Sequence, residues 1–429
     1  MTTTDVVVIG GGVMGAAVAL ELRKSGLQVL VVERQGAAGH GSTSSSSAVV
    51  RFNYSTFDGV ATAWESHACW ESWADHLGVT DPAGTAAFVR TGMVMLDAPI
   101  IPRDRFTPLF DAVGIVYEEW DDAVLRGRVP GIDAGRYWPP KPVDTDAFFE
   151  DSAETIGGLF MPDAGYINDP QLAAQNLAYA AASRGVDFRF RSTVVAIERD
   201  RGRVSGVKLD DGSVISAPIV VNAAGPWSSA VNALADVGED FTITVRPMRQ
   251  EVHEIPADKG FLDIIVGDID LGTYIRPTPG EALLVGGTEP ECDPFEWLDD
   301  PDTANPRATR DRFEAQSARA ARRFPELRVP TAPRGVAGVY DVADDWTPIY
   351  DRTSLDGFYV VMGTSGNQFK NAPLAGRFIA TIVDGVENGR DHDADPLTYR
   401  GEHTGNVINL GAFSRKRALN ENSSKTVMG

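Results

Sequence analysis

Residues 5–35 read DVVVIGGGVMGAAVALELRKSGLQVLVVERQ. Val6 to Ile9 form a short, uncharged, β-branched run, the composition of a strand buried on both faces. A glycine turn follows, then a helical pattern, a second strand from Val29 to Val32, and Glu33. Gly10, Gly12 and Gly15 fit G-x-G-x-x-G. Their spacing allows a tight turn, close approach of backbone to a pyrophosphate, and close packing of helix on strand, with the helix N-terminus facing phosphate charge. Glu33 stands 23 residues after Gly10, where a carboxylate accepts hydrogen bonds from ribose hydroxyls. The glycines alone would suit a turn in any parallel sheet. Strand, turn, helix, strand and acid in this order predict a dinucleotide site, without deciding between NAD and FAD.

The bulk numbers set limits. A chain of 429 residues suggests two or three folding units. With 60 acidic against 39 basic residues the net charge is -21, which repels nucleic acid and anionic membrane surfaces. Cys69 and Cys292 are the only cysteines, too few for a disulfide framework, so a reducing, cytoplasmic setting is expected. No signal peptide or membrane span is expected. The six histidines are scattered without metal-ligand spacing, so no metal is expected.

Further along, residues 57–77 carry a helical pattern with Trp64, Trp70 and Trp73, and FVRTGMVMLDAP from Phe88 reads as a strand. A helix is expected from the Asp169-Pro170 step. Alternating strands follow at Val194 to Glu198 and Val204 to Leu209, with a turn at Asp211-Gly212 before a buried strand ending in NAAGPWS. Residues 241–290 are strand-rich, a charged helix spans about 308–324, and a last helix begins beyond Lys370. The expected fold is α/β with α+β character: a Rossmann-like FAD-binding domain interleaved with an antiparallel-sheet substrate domain. The boundaries expected are 1–85, 150–230 and 330–390 for the first, 86–149 and 231–329 for the second, and a polar tail over 391–429.

Four segments in order, GGGVMG…VVER, GSTSSSSAVVRFNY (residues 41–54), VVNAAGPWS and GVYDVADDWTPIYDRTSLDGFYVVMGTSGNQFKNAPLAG, give a resemblance over about residues 5–385. The chain resembles FAD-dependent amine oxidoreductases of the D-amino acid oxidase superfamily, in the branch of sarcosine oxidase, N-methyl amino acid oxidase and dimethylglycine dehydrogenase. The resemblance implies FAD rather than NAD. It places Val194 beside the adenine, and Ala223, Ala224 and Gly225 near the diphosphate. Gly363, Gly366, Asn367, Gln368 and Phe369 would surround the isoalloxazine. The implied cofactor contacts also include Val13 and Met14 of the turn, Arg34, Ser42, Thr43, Ser44 and Ser46 of the serine run, Trp227, Gly338 and Lys370.

By the same resemblance Arg51 and Lys370 form the pair that grips a substrate carboxylate, Arg through its planar fork and Lys as a point charge. Taken singly, either would be a solvated surface charge, but each has apolar neighbours here. Tyr274 and Arg276 alternate on one face of a strand. Tyr274 is a candidate catalytic or substrate-contacting hydroxyl, or else a half-buried strand tyrosine; Arg276 assists the carboxylate or pairs on the surface. His67 and His253 read as ordinary core or surface residues.

The activity implied is oxidation of the C–N bond of a small amino acid or N-alkyl amino acid by hydride transfer to the flavin. The product is an imine that hydrolyses, with formaldehyde released if an N-methyl group is oxidised (N-demethylation). The substrate would be a small anionic amine, and the electron acceptor oxygen or a protein. Two departures from the family stand out. Gly338 replaces a cysteine, and Ser45 a histidine, at the positions of covalent flavin attachment, so non-covalent FAD is expected. Leu284 aligns with a lysine that serves oxygen reduction, which leaves oxidase and dehydrogenase both open. Two other readings remain: an FAD-dependent 2-hydroxy acid dehydrogenase, and a flavin-binding electron-transfer or assembly subunit.

Overall fold

The computed structural model describes residues 2–428. Strand Val6–Ile9 is buried throughout and lies in parallel register between Val29–Glu33 and Ile219–Asn222. These are the central strands of a six-stranded sheet, ordered Asp187–Phe190, Val29–Glu33, Val6–Ile9, Ile219–Asn222, Phe358–Met362 and Ile349–Arg352, with only the last pair antiparallel. Helices cover one face of the sheet and the strands Val194–Asp200, Arg203–Leu209 and Val214–Ser216 cover the other, which is why its strands are apolar on both faces. Helix Val13–Lys24 packs against helices Pro170–Ala182 and Ala372–Glu387. Gly376 sets the second of those distances: a Cβ there would lie 2.6 Å from the Ala17 carbonyl oxygen. The helix expected at Asp169-Pro170 starts there, with the Asp169 carboxylate accepting from the Leu172 N–H at 2.9 Å.

The second layer is a nine-stranded, largely antiparallel sheet. Its spine runs Val245–Pro256, Ala282–Gly287, Thr273–Pro277, Ile265–Asp268, Met93–Leu96 and Gly158–Met161, and Gly335–Ala343 pairs along Val245–Pro256. Helix Arg310–Arg323 lies against it. The chain thus has the mixed α/β organisation expected, but two strands differ from the expected boundaries. Gly158–Met161 and Gly335–Ala343, assigned to the nucleotide-binding part, hydrogen-bond into the substrate-side sheet. The stretch read as one strand from Phe88 is two, Phe88–Arg90 and Met93–Leu96, in different sheets. Gly92, at φ +72°, makes the bend between them.

The last segment is no detached polar tail. Ile408, Leu410 and Phe413 are buried, and Arg415 bonds Asp351 beneath the six-stranded sheet's edge. Beyond it the chain returns to the junction of the two sheets, where Val427 and Met428 are buried. No helix among the described residues is long and apolar enough to cross a membrane.

Candidate active site

The glycine turn opens onto a cavity of about 370 Å³ between the two sheets. Gly10 (φ +105°) has no room for a side chain, since a Cβ would lie 2.4 Å from the Ala223 carbonyl oxygen. Gly10, Gly12, Val13, Met14 and Glu33 line one end, and Val194, Ala223, Ala224 and Gly225 the adjoining wall. Both Glu33 oxygens face backbone donors, accepting from Gly11 N and Gln35 N at 2.6 Å. Arg34 lies over the Trp227 ring at 3.8 Å, and Asp302 ties both, at 2.7 Å to Arg34 Nη2 and 3.1 Å from Trp227 Nε1. The result is a flat platform at the cavity mouth.

The serine run forms a wall of this cavity. Ser42–Ser45 form a short 3-10 helix. Ser42 and Ser45 donate to the Val339 and Ala337 carbonyls at 2.6 and 3.1 Å, fastening the run to strand Gly335–Ala343. Thr43 Oγ1 accepts from the Val13 N–H at 3.1 Å, so the run also meets the N-terminus of the first helix. Ser42, Thr43 and Ser46 line the cavity, as do Gly338, Gly366, Gln368 and Phe369. A Cβ on Gly338 would lie 2.9 Å from Ser45 Cβ, so the two positions associated with covalent attachment face each other, with neither a thiol nor an imidazole there.

These residues fit FAD. A dinucleotide needs side-chain-free backbone at the diphosphate, a helix N-terminus facing it and an acid near the ribose, and all three line one elongated cavity. Glu33 would hold the ribose, Gly12 to Met14 and Ala223 to Gly225 the diphosphate, and Gly338, Gly366 and Gln368 the ring.

Several expected contacts fall elsewhere. Gly15 packs beneath the turn, where a Cβ would lie 1.9 Å from the Gly10 oxygen. Ser44 turns outward and donates to Gly41 O at 3.0 Å. Gly363 lies behind the loop against Ala343 and Val245. Asn367 and Lys370 line a second cavity rather than the first. Conversely, Ser47, Thr193, Gln250, Tyr340 and Asp341 line the first cavity without having been singled out. Tyr340 and Asp341 sit inside GVYDV, so the signal was present. The Tyr340 ring fills the space over Gly366, where a Cβ would come within 2.3 Å of it. Asp341 accepts from Thr364 N at 3.0 Å and fixes the late loop.

The second cavity, about 40 Å³, adjoins the first and is lined by Arg51, Lys370, Tyr274, Asn367, Val427 and Met428 among others. Arg51 and Lys370 are only 3% and 2% exposed. Arg51 donates through Nη1 to Asn53 O at 2.7 Å and through Nη2 to Val427 O. Lys370 Nζ donates to the Tyr54 hydroxyl at 2.6 Å and Asn367 O at 2.7 Å. Tyr54 lies under both cations, 5.2 Å from Arg51 Cζ and 4.8 Å from Lys370 Nζ. Among the described residues neither cation has a carboxylate ion pair. Burial, and then the neighbouring Arg51, push the Lys370 pKa well below its usual value, and burial lowers that of Arg51.

Tyr274 reaches this cavity, with its hydroxyl donating to Ser47 Oγ at 3.0 Å and its pKa pushed up by burial to about 12. Arg276 does not. Its Nε donates to the Ser47 carbonyl at 2.8 Å and its guanidinium lies 4.1 Å over the Tyr166 ring, so it braces the serine run from behind. His67 stacks on Trp64 and His253 lies against Gln316; neither lines either cavity. Glu289, which no sequence pattern marks, lines neither cavity; it is buried against Val427 and accepts from its N–H at 2.8 Å. Leu284 lines neither cavity.

A family model described as DAO, FAD dependent oxidoreductase, matches residues 5–382. Glycine oxidase of Geobacillus kaustophilus (strain HTA426) is 27% identical over 410 residues, covering 94% of this chain and 98% of the relative. Sarcosine oxidase subunit beta of Rhizobium meliloti (strain 1021) is 26% identical over 393 residues, covering 88% and 84%. Among solved structures, L-proline dehydrogenase from P. horikoshii superposes with a TM-score of 0.76 at 22% identity, covering 97% of this chain and 98% of that one. Glycine oxidase from Geobacillus kaustophilus does so with a TM-score of 0.74 at 21% identity, covering 98% and 100%.

Proposed function

We propose that this chain, which belongs to the DAO family of FAD-dependent oxidoreductases, oxidises the C–N bond of a small amino acid or N-alkyl amino acid. The observation that carries this reading is the pair of buried cations, Arg51 and Lys370, set without a carboxylate partner beside the cofactor cavity. Burying unpaired charge costs several kcal/mol, and a substrate carboxylate offsets that cost. Arg51 would take both carboxylate oxygens and Lys370 one, with Tyr54 keeping the two cations at a fixed spacing. Once the carboxylate is held, the bond between nitrogen and its neighbouring carbon can be turned toward the Gly366–Gln368 side of the larger cavity. Tyr274 and Tyr340 exclude water from that side. FAD, when bound, supplies the acceptor for the hydride leaving that carbon. The amine, once its ammonium proton has passed to solvent, closes the C=N bond with its lone pair as the hydride leaves, and water hydrolyses the resulting imine to an amine and a carbonyl, formaldehyde where an N-methyl carbon reacts.

The relatives named glycine oxidase and sarcosine oxidase subunit beta support a substrate of this size. A hydroxy acid reading would call for an imidazole at the site, and neither His67 nor His253 lines a cavity. An electron-transfer subunit would have no use for the cation pair. We further propose non-covalent FAD, from Gly338 and Ser45; flavin colour that precipitates with acid-denatured protein would refute it. The test of the function is anaerobic bleaching of the flavin against sarcosine, glycine, proline, other N-methyl amino acids and D- and L-amino acids, with 2-hydroxy acids alongside. Bleaching by an amino acid is expected. Bleaching by hydroxy acids alone would overturn the reading.

A further inference from the structure

Val427 and Met428 line the second cavity, and their backbone is held there at both its donor and its acceptor side. The Val427 N–H donates to Glu289 Oε2 at 2.8 Å, while the Val427 carbonyl accepts from Arg51 Nη2. Asn53 Nδ2 donates to the next carbonyl, that of Met428, at 2.8 Å. An acid and a base therefore read the N–H and the C=O of one residue. One Cα separates that N–H from that C=O, as one Cα separates amine from carboxylate in an α-amino acid.

We propose that Glu289 recognises the substrate's amino group, and that Val427 holds its place until substrate displaces it. The assignment rests on the amino-acid reading above. Glu289 is 6% exposed, and its Oε1 has no hydrogen-bond partner among the described residues. A secondary ammonium carries two N–H groups, one for each oxygen, whereas the peptide N–H satisfies only one. Glu289 also holds a backbone φ of +52°, a costly conformation for a residue with a side chain and one that marks functional positions. Burial pushes its carboxyl up to about 8 against the opposing influence of the Val427 N–H, Arg312 and Arg51. A bound ammonium would restore the charged form. With Val427 in place the remaining space, about 40 Å³, admits a water or two and no amino acid. The segment must therefore withdraw as substrate enters.

The test uses the FAD-loaded full chain and two pairs of probes that differ only in N–H against O: sarcosine with methoxyacetate, and L-proline with tetrahydro-2-furoate. Either member of a pair displaces the segment, so that cost cancels in the comparison. In the wild type the amine should bind about tenfold or more tighter than its oxygen partner, as a charge-assisted hydrogen bond requires. In Glu289→Gln the gap should close to about twofold, and any change in the hold on Val427 cancels because it is common to both members of a pair. A gap that survives in Glu289→Gln overturns the assignment. Should that variant fail to fold, Val427→Pro, which removes the competing N–H, should tighten all four probes alike; unchanged affinities would overturn the place-holding role. If an amino acid bleaches the flavin yet amines bind no better than their oxygen partners, only the Glu289 assignment falls. If no amino acid of the wider set binds or bleaches, the amino-acid reading falls with it.

Discussion

Arg323 and Arg51 are both buried guanidinium groups. Arg323 lies 2.7 Å from Asp268 and 2.9 Å from Asp270 and also donates to the Gly135 carbonyl at 2.9 Å. Burial works against its charge, but the two carboxylates outweigh burial and raise its pKa above the usual value. Arg415 is held the same way by Asp351 and Asp393, and Arg249 by Glu251 and Glu296. Arg51 has only carbonyl oxygens, and burial lowers its pKa. The first kind of cation is completed by its own chain, and its role is to hold elements together. The second is completed from outside, and the missing partner is an anion.

Breaking the completed kind should have the largest effect. Arg323→Met leaves Asp268 and Asp270 buried together without a counter-charge, which should cost about 3–5 kcal/mol of unfolding free energy, read from denaturant melts. A variant as stable as wild type would erase the distinction drawn between the two regions.

Lys370→Met should behave differently. Removing an unpaired buried cation relieves its desolvation, so stability at pH 7 should stay within about 1 kcal/mol of wild type or exceed it. The sign of the pH dependence follows from the lowered Lys370 pKa. The native state binds fewer protons than the unfolded chain between that lowered value and 10.5, so the wild type gains stability with rising pH across this window. Any advantage of Lys370→Met should therefore shrink toward pH 10.5 in thermal melts. On the paired side the trend points to acid. Burial opposes ionisation of Glu251, but hydrogen bonds from His253, Thr309 and Arg249 outweigh it and hold its pKa at about 2. Its contribution is complete above the ordinary value of 4.5 and fades as pH falls toward about 2, a loss that Glu251→Gln should not show.

The smallest effect belongs to the serine run. Thr43→Val removes the acceptor for Val13 N and should weaken FAD binding by about fivefold, the worth of one hydrogen bond. Ser44→Ala, which removes a hydrogen bond to the Gly41 carbonyl outside the cavity, should leave FAD affinity within about twofold. Fluorescence titration of the apoprotein separates the two.

What could be read in advance depends on how far apart the interacting residues lie. Val6 to Glu33 were legible because strand, turn, helix and acid are contiguous, and each constrains the next. Arg51 and Lys370 could be singled out only through family resemblance, since nothing in their local sequence says that both lie around Tyr54. Strand alternation put Tyr274 and Arg276 on one face but could not show what lay opposite. The Ser47 carbonyl and the Tyr166 ring take the Arg276 side chain away from the cavity. The contact of Val427 with Glu289 spans 138 residues and carries no periodic signal. The same holds for the strands Gly158–Met161 and Gly335–Ala343, whose partners were set by sheet pairing across the whole chain.

The requirement of Arg51 and Lys370 for an anion can be measured directly. Titrating the FAD-loaded protein with sarcosine and sarcosinamide, and with proline and prolinamide, compares carboxylate with neutral amide on an unchanged amine. In the wild type the acid should bind about thirtyfold or more tighter, and Arg51→Met should remove most of that preference, as loss of one partner in a buried charge pair entails. Equal binding of acid and amide by the wild type, or a preference that survives when both Arg51 and Lys370 are replaced by Met, would contradict the carboxylate clamp.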